Sequence, residues 1–274
     1  MRTILITGCS SGIGEYCAKA LHVNPNYQVF ATCRRQEDVQ KLRAEGLNAF
    51  KLDLYNTQSM NDALSWMLSQ TQGRIDVLFN NAAYGQPGAV EDLRRDVLRE
   101  QFETNVFGTQ ELTNLIIPYM RQQKSGRIIY NSSILGFVAM GYRGAYNASK
   151  FAIEGLADTL RLELYQSGIE VVLIEPGPIR SHFRKNALAK FLEHIDYHHS
   201  AHHVLYAKTL ERLQKEGDSP FTLGAEAVLE VLIKAMESTK PKARYAVTFP
   251  TKLLSILKRM LPTSWMDIIA RKAE

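Results

Sequence analysis

Two kinds of apolar pattern alternate along the chain. Short runs that are apolar at nearly every position are typical of buried strands, and longer stretches with apolar residues three or four positions apart are typical of amphipathic helices. Strands are predicted at residues 4–7, 27–33, 49–52, 75–80, 127–132 and 169–175, with a further one at 245–248. Helices are predicted at residues 12–23, 37–45, 57–70, 96–122 and 145–167.

This alternation predicts the fold class. Consecutive strands joined by helices run parallel through right-handed crossovers, and the strand at 169–175 is apolar at successive positions, as expected when helices cover both faces of a sheet. We predict an α/β fold with a single Rossmann-type, doubly wound parallel sheet of about seven strands and helices on both faces. Because no linker divides the chain, residues 1–274 are expected to form one domain. Residues 181–220 break the alternation and are predicted to form a helical lid, and residues 250–274 a C-terminal amphipathic helix.

The composition of the chain excludes several classes of protein. Hydrophobic residues make up 45 % and charged residues 22 % of the 274 residues, which is typical of a globular domain and excludes a fibrous or disordered one. The net charge is +5, but acidic residues accompany the basic ones, so no nucleic-acid partner is expected. No apolar run approaches ~20 residues, and the first apolar run is too short for a signal peptide. The 3 cysteines lack metal-ligand spacing and favour a reducing compartment, so we expect a cytoplasmic protein.

A glycine-rich turn joins the first predicted strand to the first predicted helix. Its glycines let backbone amides approach a pyrophosphate at a helix N-terminus, where the helix dipole favours anions. Glycine also ends strands for steric reasons, but the position between strand and helix favours a nucleotide site. The predicted contacts in this turn are Gly8, Ser10, Ser11, Gly12, Ile13 and Gly14.

The end of the second predicted strand indicates which nucleotide is bound. An NAD site usually has an acidic residue there, which accepts hydrogen bonds from the ribose. This strand ends instead in Arg34 and Arg35, whose guanidinium groups suit a 2′-phosphate. Two solvated arginines are the alternative, but arginine at a helix start opposes the helix dipole. We therefore expect NADP(H) rather than NAD.

Further candidate contacts follow the third and fourth predicted strands. Asp53 either accepts a hydrogen bond from an adenine amino group or caps the next helix, and both interpretations stay open. Leu54 is adjacent to it, and Asn81 and Ala82 follow the fourth strand. Because ligands bind at the carboxyl edge of an open parallel sheet, these four residues are candidate cofactor contacts.

A tyrosine and a lysine lie four positions apart in the helix predicted at 145–167. Tyr146 and Lys150 share one face of that helix, and a cation beside a phenol lowers the phenol pKa from about 10, so that it can exchange a proton near neutral pH. Ser133 follows the fifth strand, where its hydroxyl can bind a carbonyl group. A surface Tyr–Lys pair is the alternative, but the adjacent nucleotide site favours catalysis.

The order and spacing of these motifs resemble the short-chain dehydrogenase/reductase family over nearly the whole chain. The matching segments are the glycine turn, Asp53, Asn80-Asn81-Ala82, Asn105, Ser132-Ser133, Tyr146 with Lys150, and the run from Pro176 to Ser181. Within the family, the strand end at 32–35 and the run at 175–179 resemble the branch of retinol and 17β-hydroxysteroid dehydrogenases and its bacterial NADP-dependent aldehyde reductases. The resemblance implies one NAD(P)-binding Rossmann domain that transfers a hydride between NADP(H) and a lipophilic aldehyde, ketone or alcohol.

The resemblance also implies a role for each catalytic residue. Tyr146 would be the general acid for carbonyl reduction or the base for alcohol oxidation. Lys150 would bind the nicotinamide ribose and lower the tyrosine pKa, and Ser133 would orient the carbonyl oxygen. Asn105 would hold a water that links Lys150 to solvent as a proton relay.

The segment after the sixth strand would hold the nicotinamide ring. The backbone at Ile179 and the hydroxyl of Ser181 would bind its carboxamide, and Pro176 and Gly177 are further cofactor contacts. Ser181 stands where the family commonly has threonine, and it keeps the hydroxyl.

Ala83 stands where the family usually has glycine, which predicts a shifted loop before Gly85 rather than an inactive site.

Two alternatives to a carbonyl reductase stay open. A non-catalytic NADP-binding sensor or interaction protein would keep the glycine turn but often lose the tyrosine or lysine. Another activity of the same fold, such as that of a 3-oxoacyl reductase or an epimerase, is the second alternative.

The remaining segments support expectations about partners. Four histidines form two pairs at i, i+4 spacing, which could hold a metal on a helix, but no metal is expected because no zinc motif accompanies them. They are His198, His199, His202 and His203. The basic C-terminal segment lies either on the substrate pocket or a subunit interface, which we favour, or on a membrane surface. A homodimer or homotetramer is expected from pairing of the long helices at 96–122 and 145–167.

Overall fold

The computed structural model describes residues 1–214 and 217–272. One sheet of parallel strands lies at its centre. The strands are β1 (Arg2–Ile6), β2 (Tyr27–Cys33), β3 (Asn48–Lys51), β4 (Val77–Asn80), β5 (Gly126–Asn131), β6 (Ile169–Glu175) and β7 (Arg244–Ala246). Their spatial order is β3-β2-β1-β4-β5-β6-β7, with the reversal of strand order between β1 and β4. This topology confirms the predicted doubly wound α/β fold.

Helices cover both faces of the sheet. They are α1 (Gly12–His22), α2 (Gln36–Ala44), α3 (Thr57–Thr71), α4 (Arg95–Phe102), α5 (Thr109–Gln123), α6 (Gly144–Glu163), α7 (Phe183–His194), α8 (His203–Gln214), α9 (Glu226–Glu237), α10 (Phe249–Met260) and α11 (Thr263–Lys272). Within β1, Ile4 and Ile6 pack against α1, α2 and α9, whereas Leu5 packs against α3, α5 and α6. The inner strands β1, β2, β4, β5 and β6 are mostly buried on both sides, which explains why their sequences are apolar without alternation.

Two of the predicted elements are more complex in the structure. The helix predicted at 96–122 is continuous, but a π-helical turn (Glu103–Gly108) separates α4 from α5. A Cβ atom on Gly108 would lie 1.9 Å from the carbonyl oxygen of Leu54, so only glycine permits this close approach to the chain after β3. The single C-terminal helix predicted at 250–274 is wrong. It is two helices, because Pro262 cannot continue α10, and residues 273–274 lie outside the described part of the chain.

The lid predicted at 181–220 contains α7 and α8, and residues 215–216 of it lie outside the described part. Phe191 and Tyr206 are fully buried between these two helices, which gives the segment a small apolar core of its own. The histidine pairs do not share a helix as predicted, because His198, His199 and His202 lie in the turn before α8. His199 contacts Asp196, and His202 contacts Glu91. Among the described residues, no cluster of three or more His, Cys, Asp or Glu side chains has the arrangement of a metal site.

Candidate active site

The carboxyl ends of β1 and β4 are joined by side-chain hydrogen bonds. The hydroxyl of Thr7 accepts from the backbone N–H groups of Asn81 and Ala82, each at 3.0 Å. The amide of Asn81 in turn donates to the carbonyl oxygens of Thr7 at 2.9 Å and Gly8 at 3.2 Å. These bonds hold the glycine turn against the chain that follows β4, at the point where the strand order reverses and ligands bind in this fold.

The glycine turn has the backbone geometry of a phosphate cradle. Gly8 and Gly12 have φ angles of +71° and +62°, in the left-handed region that favours glycine. A Cβ atom on Gly14 would lie 2.3 Å from the carbonyl oxygen of Gly8, so the first turn of α1 lies directly on the loop. Ser11 is the N-cap residue of α1, and its side chain forms no capping hydrogen bond with the described residues. The first N–H groups of the helix are therefore available to an anion.

The two arginines after β2 have different surroundings. Arg35 pairs with Asp38 at the start of α2, with an Nε–Oδ2 distance of 3.0 Å. Arg34 is exposed, and it forms no salt bridge within the part of the chain that the structure describes. Arg34 borders a cavity of about 420 Å³ that Asp53, Thr104 and other residues also line. Of the two predicted phosphate contacts, Arg34 is thus the one with a free guanidinium group.

The structure decides between the two interpretations of Asp53. The N-cap of α3 is Asn56, whose side chain accepts from the N–H of Ser59 at 3.0 Å. Asp53 accepts instead from the N–H of Tyr55 at 3.0 Å and faces the same cavity as Arg34. The capping interpretation is therefore wrong, and a contact with adenine stays a prediction. Leu54 is buried beside it.

The predicted catalytic residues meet where the chain leaves β5 and passes α6. Ser133 adopts an extended backbone with its hydroxyl accepting from the N–H of Leu135 at 3.1 Å, and its side chain lies beside the phenol of Tyr146. One turn along α6, the Nζ of Lys150 donates to the carbonyl oxygen of Asn131 at 2.7 Å. The end of β5 thus binds two successive turns of α6 and aligns their side chains.

The electrostatics of the pair differ from the prediction. Burial raises the pKa of Tyr146 to about 12, although the hydrogen bond with Ser133 acts in the opposite direction. Burial also lowers the pKa of Lys150 to about 8, although nearby Glu154 raises it. The Nζ of Lys150 lies 5.7 Å from the centre of the tyrosine ring and is bonded to a carbonyl group. The prediction that lysine lowers the tyrosine pKa is therefore wrong for this structure, in which the phenol stays protonated at neutral pH.

Asn105 lies within the π-helical turn, almost fully buried. Its amide donates to the carbonyl of Tyr84 at 2.9 Å and to Ser149 Oγ at 3.1 Å, and its oxygen accepts from the Tyr84 N–H at 3.2 Å. Beside it is a cavity of about 10 Å³ that Lys150 also lines, roughly the volume that one water molecule needs. The side-chain oxygens of Asn80 and Asn131, which line this cavity, accept no hydrogen bond from the described residues.

A cluster of charged side chains lies behind Lys150, and the sequence did not predict it. Glu154 follows Lys150 by one further turn of α6 and contacts Arg244 of β7, at 3.1 Å between Oε2 and Nη2. Arg244 also pairs with Glu175 at 3.1 Å and with Asp158. Tyr146, Lys150 and Glu154 are four positions apart, so all three lie on one helix face, and this spacing is visible in the sequence. The partner Arg244 lies on the last strand, and no local pattern connects it to α6.

The segment after β6 contacts the glycine turn. A Cβ atom on Gly12 would lie 3.0 Å from the Cβ atom of Ser181, and Ile179 pairs with Leu223 in a short parallel bridge. Pro176 accepts from the N–H of Ile134 at 2.8 Å. At Gly177, a Cβ atom would lie 2.2 Å from the hydroxyl of Thr248. The segment predicted to hold the nicotinamide therefore lies between the glycine turn and the residues that follow Ser133.

The loop in which the sequence departs from the family has no strained backbone. Ala83 is not among the described residues with positive φ, so alanine fits where the family usually has glycine. Gly85 is close-packed, because a Cβ atom there would lie 2.6 Å from the ring of Phe183.

Apolar side chains surround Tyr146. The ring of Phe183, at the start of α7, meets that of Tyr146 edge-on at a centroid distance of 5.1 Å. On another side, Tyr146 packs with a cluster that includes Leu135, Leu254 and Met266. The inner faces of α10 and α11 thus pack beside Tyr146.

Comparison with known proteins agrees with this geometry. The short chain dehydrogenase family model matches residues 2–191. An uncharacterized oxidoreductase of Escherichia coli (strain K12), YbbO, is 38 % identical over 98 % of this chain and 93 % of its own, and human retinol dehydrogenase 8 is 32 % identical over 94 % of this chain and 85 % of its own. The crystal structure of a short-chain dehydrogenase from Streptomyces avermitilis covers this whole chain with a TM-score of 0.75 and 27 % identity. The chain belongs to the short-chain dehydrogenase family of oxidoreductases.

Proposed function

We propose that this protein is an NADPH-dependent reductase of lipophilic aldehydes or ketones, able to oxidise the corresponding alcohols in reverse. The observation that carries the proposal is that Ser133, Tyr146 and Lys150 come together where β5 meets α6, beside a glycine turn suited to phosphate. A sensor protein would have no need of this alignment.

The residues at the carboxyl edge fit a dinucleotide. The turn from Gly8 to Gly14 would bind the pyrophosphate, Arg34 the 2′-phosphate, and Asp53 the adenine. The segment at 176–181 would hold the nicotinamide, and Lys150 its ribose. When bound, NADPH would supply the hydride. Arg34 is the basis for NADP(H), since its guanidinium is free and no carboxylate ends β2 to accept from a ribose hydroxyl.

The protein's own residues would supply the proton. A phenol that stays protonated at neutral pH suits Tyr146 as the general acid that protonates a carbonyl oxygen held by the Ser133 hydroxyl. Lys150 would hold the nicotinamide ribose, and a water in the small cavity beside Asn105 would link the lysine to solvent as a proton source. Because the Asn105 amide is already bonded to Tyr84 and Ser149, that water would donate to the unpartnered side-chain oxygens of Asn80 and Asn131.

The apolar wall is the basis for a lipophilic substrate. Phe183, Leu135 and Met266 offer no charge to a polar group next to the carbonyl, so binding would increase with the apolar area of the substrate, at about 25 cal/mol per Å² buried. Retinol dehydrogenase 8 among the relatives is consistent with such a substrate.

The cofactor assignment can be tested with Arg34→Ala and Arg35→Ala. Loss of a charged hydrogen bond to phosphate costs about 1.5–3 kcal/mol, so Arg34→Ala should weaken NADPH binding roughly tenfold or more and leave NADH binding nearly unchanged. Arg35→Ala is the matched control and should have the smaller effect, because Arg35 is paired with Asp38. Dissociation constants from cofactor fluorescence measure both. Equal losses for NADPH and NADH in Arg34→Ala would contradict the assignment.

A further inference from the structure

We propose that the outer face of α10 and α11 docks this protein on an anionic lipid bilayer. The outer face is defined by six large apolar side chains that point away from the protein. They are Phe249 (60 % exposed), Leu253 (43 %), Ile256 (56 %), Met260 (74 %), Trp265 (61 %) and Ile268 (49 %).

The spacing of these residues makes the outer face continuous. On α10 they recur at i, i+4, i+7 and i+11, which is one narrow stripe along the helix. The opposite side of α10 is already in use, because Thr251 and Leu254 are buried against the protein. On α11 the same division holds between exposed Trp265 and buried Met266. Both helices are therefore apolar on two sides, and packing within the chain accounts for only one of them.

A neighbouring loop extends the outer face. Phe221 is 61 % exposed, and its ring centre lies 5.7 Å from that of Phe249. Together these residues form a larger apolar surface than scattered exposed side chains would make, which marks an interaction site.

The charges beside the outer face favour lipid as its partner. Lys252, Lys258, Arg259, Arg271 and Lys272 are exposed on α10 and α11, against one acidic residue, Asp267. None of these five forms a salt bridge with a residue that the structure describes. Basic residues beside an apolar stripe, with a tryptophan at its edge, are the pattern of a helix that lies in the headgroup region of an anionic bilayer. A second copy of this chain fits poorly, because a symmetric contact would bring the same cations against each other.

The helices would lie on the bilayer rather than cross it. In the described parts of the chain, no helix is both long enough and apolar enough to span a membrane. The inner sides of the same helices pack in the cluster around Tyr146, so docking would bring the reductase site close to a lipid-dissolved substrate. That consequence rests on the proposed function, whereas the docking does not.

Flotation with vesicles tests the proposal. The wild-type chain should float with vesicles of phosphatidylcholine mixed with phosphatidylglycerol, should float far less with phosphatidylcholine alone, and should be released by salt. Ile256→Ser with Trp265→Ser should lower the partition coefficient roughly tenfold or more, because apolar burial is lost. Lys252→Gln with Arg259→Gln should lower it about fivefold for each cation removed. Removing the whole segment would be a poorer test, since it would also strip the wall around Tyr146.

Matched controls separate the outer face from general effects. Val23→Ser removes an exposed apolar side chain just after α1 (80 % exposed), and Arg121→Gln with Lys208→Gln removes two exposed cations on α5 and α8. Both controls should float like the wild type, and all variants should bind NADPH equally. Failure of the wild type to float, or equal loss in the controls, would overturn the proposal. So would a dimer, measured by light scattering, that Ile256→Ser dissociates while flotation is unchanged. Because flotation requires no turnover, a missing reductase activity would leave this result unaffected.

Discussion

Replacing Glu175 by Gln should make the protein more stable at alkaline pH. Glu175 is 2 % exposed at the end of β6, and burial, together with the charge of Glu154, raises its pKa to about 7 despite the ion pair with Arg244. The usual value for glutamic acid is 4.5. Because the pKa of Glu175 is higher in the folded than in the unfolded protein, its carboxyl stabilises the fold fully below pH 4.5. That contribution is lost as the pH rises through 7 and the buried carboxyl ionises. At 1.36 kcal/mol per pH unit, the full loss is about 3 kcal/mol.

Urea unfolding at a series of pH values measures this effect. Between pH 5 and pH 8, the free energy of unfolding of Glu175→Gln should rise relative to the wild type by roughly 2–3 kcal/mol. Asp158→Asn is the control of opposite sign. Burial opposes ionisation of Asp158, but hydrogen bonds from Arg244 and Arg161 outweigh it and lower its pKa. Asp158→Asn should therefore destabilise the protein at neutral pH, with a deficit that shrinks in acid. Parallel pH profiles for Glu175→Gln and the wild type would refute the reasoning.

Two further substitutions, the first with a matched control, test the site. Gly14→Ala should weaken NADPH binding and destabilise the fold by about 1–3 kcal/mol, because the added methyl group would meet the carbonyl oxygen of Gly8. The control Gly155→Ala has nothing within 4 Å of the added carbon and should instead stabilise α6 by about 0.5–1 kcal/mol. Fluorescence titration with NADPH and thermal unfolding would compare the two variants. Phe183→Ala should raise kcat/KM for ring-containing ketones relative to short aldehydes, because the Phe183 ring lies against Tyr146; an unchanged ratio in steady-state assays would place the substrate elsewhere.

Local patterns were sufficient to predict the sheet and to identify most of the candidate site residues. The glycine turn and the pair Tyr146–Lys150 are encoded within a few residues, and so they could be found without a structure. The fold class followed from apolar strands alternating with amphipathic helices, and the structure confirms it.

Features that depend on distant contacts could not be predicted. Arg244 meets Glu154 only because β7 joins the edge of the sheet, and Phe183 meets Tyr146 only because α7 folds over the site. The pKa of Tyr146 was predicted in the wrong direction for the same reason. Its sequence spacing from Lys150 is right, but burial and the bond from Lys150 to Asn131 depend on the complete fold.

The measurement that tests the account most directly is NADPH oxidation by the wild type and Tyr146→Phe, across aldehydes and ketones of rising chain length and ring size. Tyr146→Phe removes one hydroxyl and should keep the affinity for NADPH, measured by fluorescence. The account predicts turnover that increases with the apolar size of the carbonyl compound and falls at least a hundredfold in Tyr146→Phe, within the ~10²–10⁴ contribution of general acid catalysis. Tight NADPH binding without turnover of any carbonyl compound, or turnover unaffected by loss of the phenol, would contradict it.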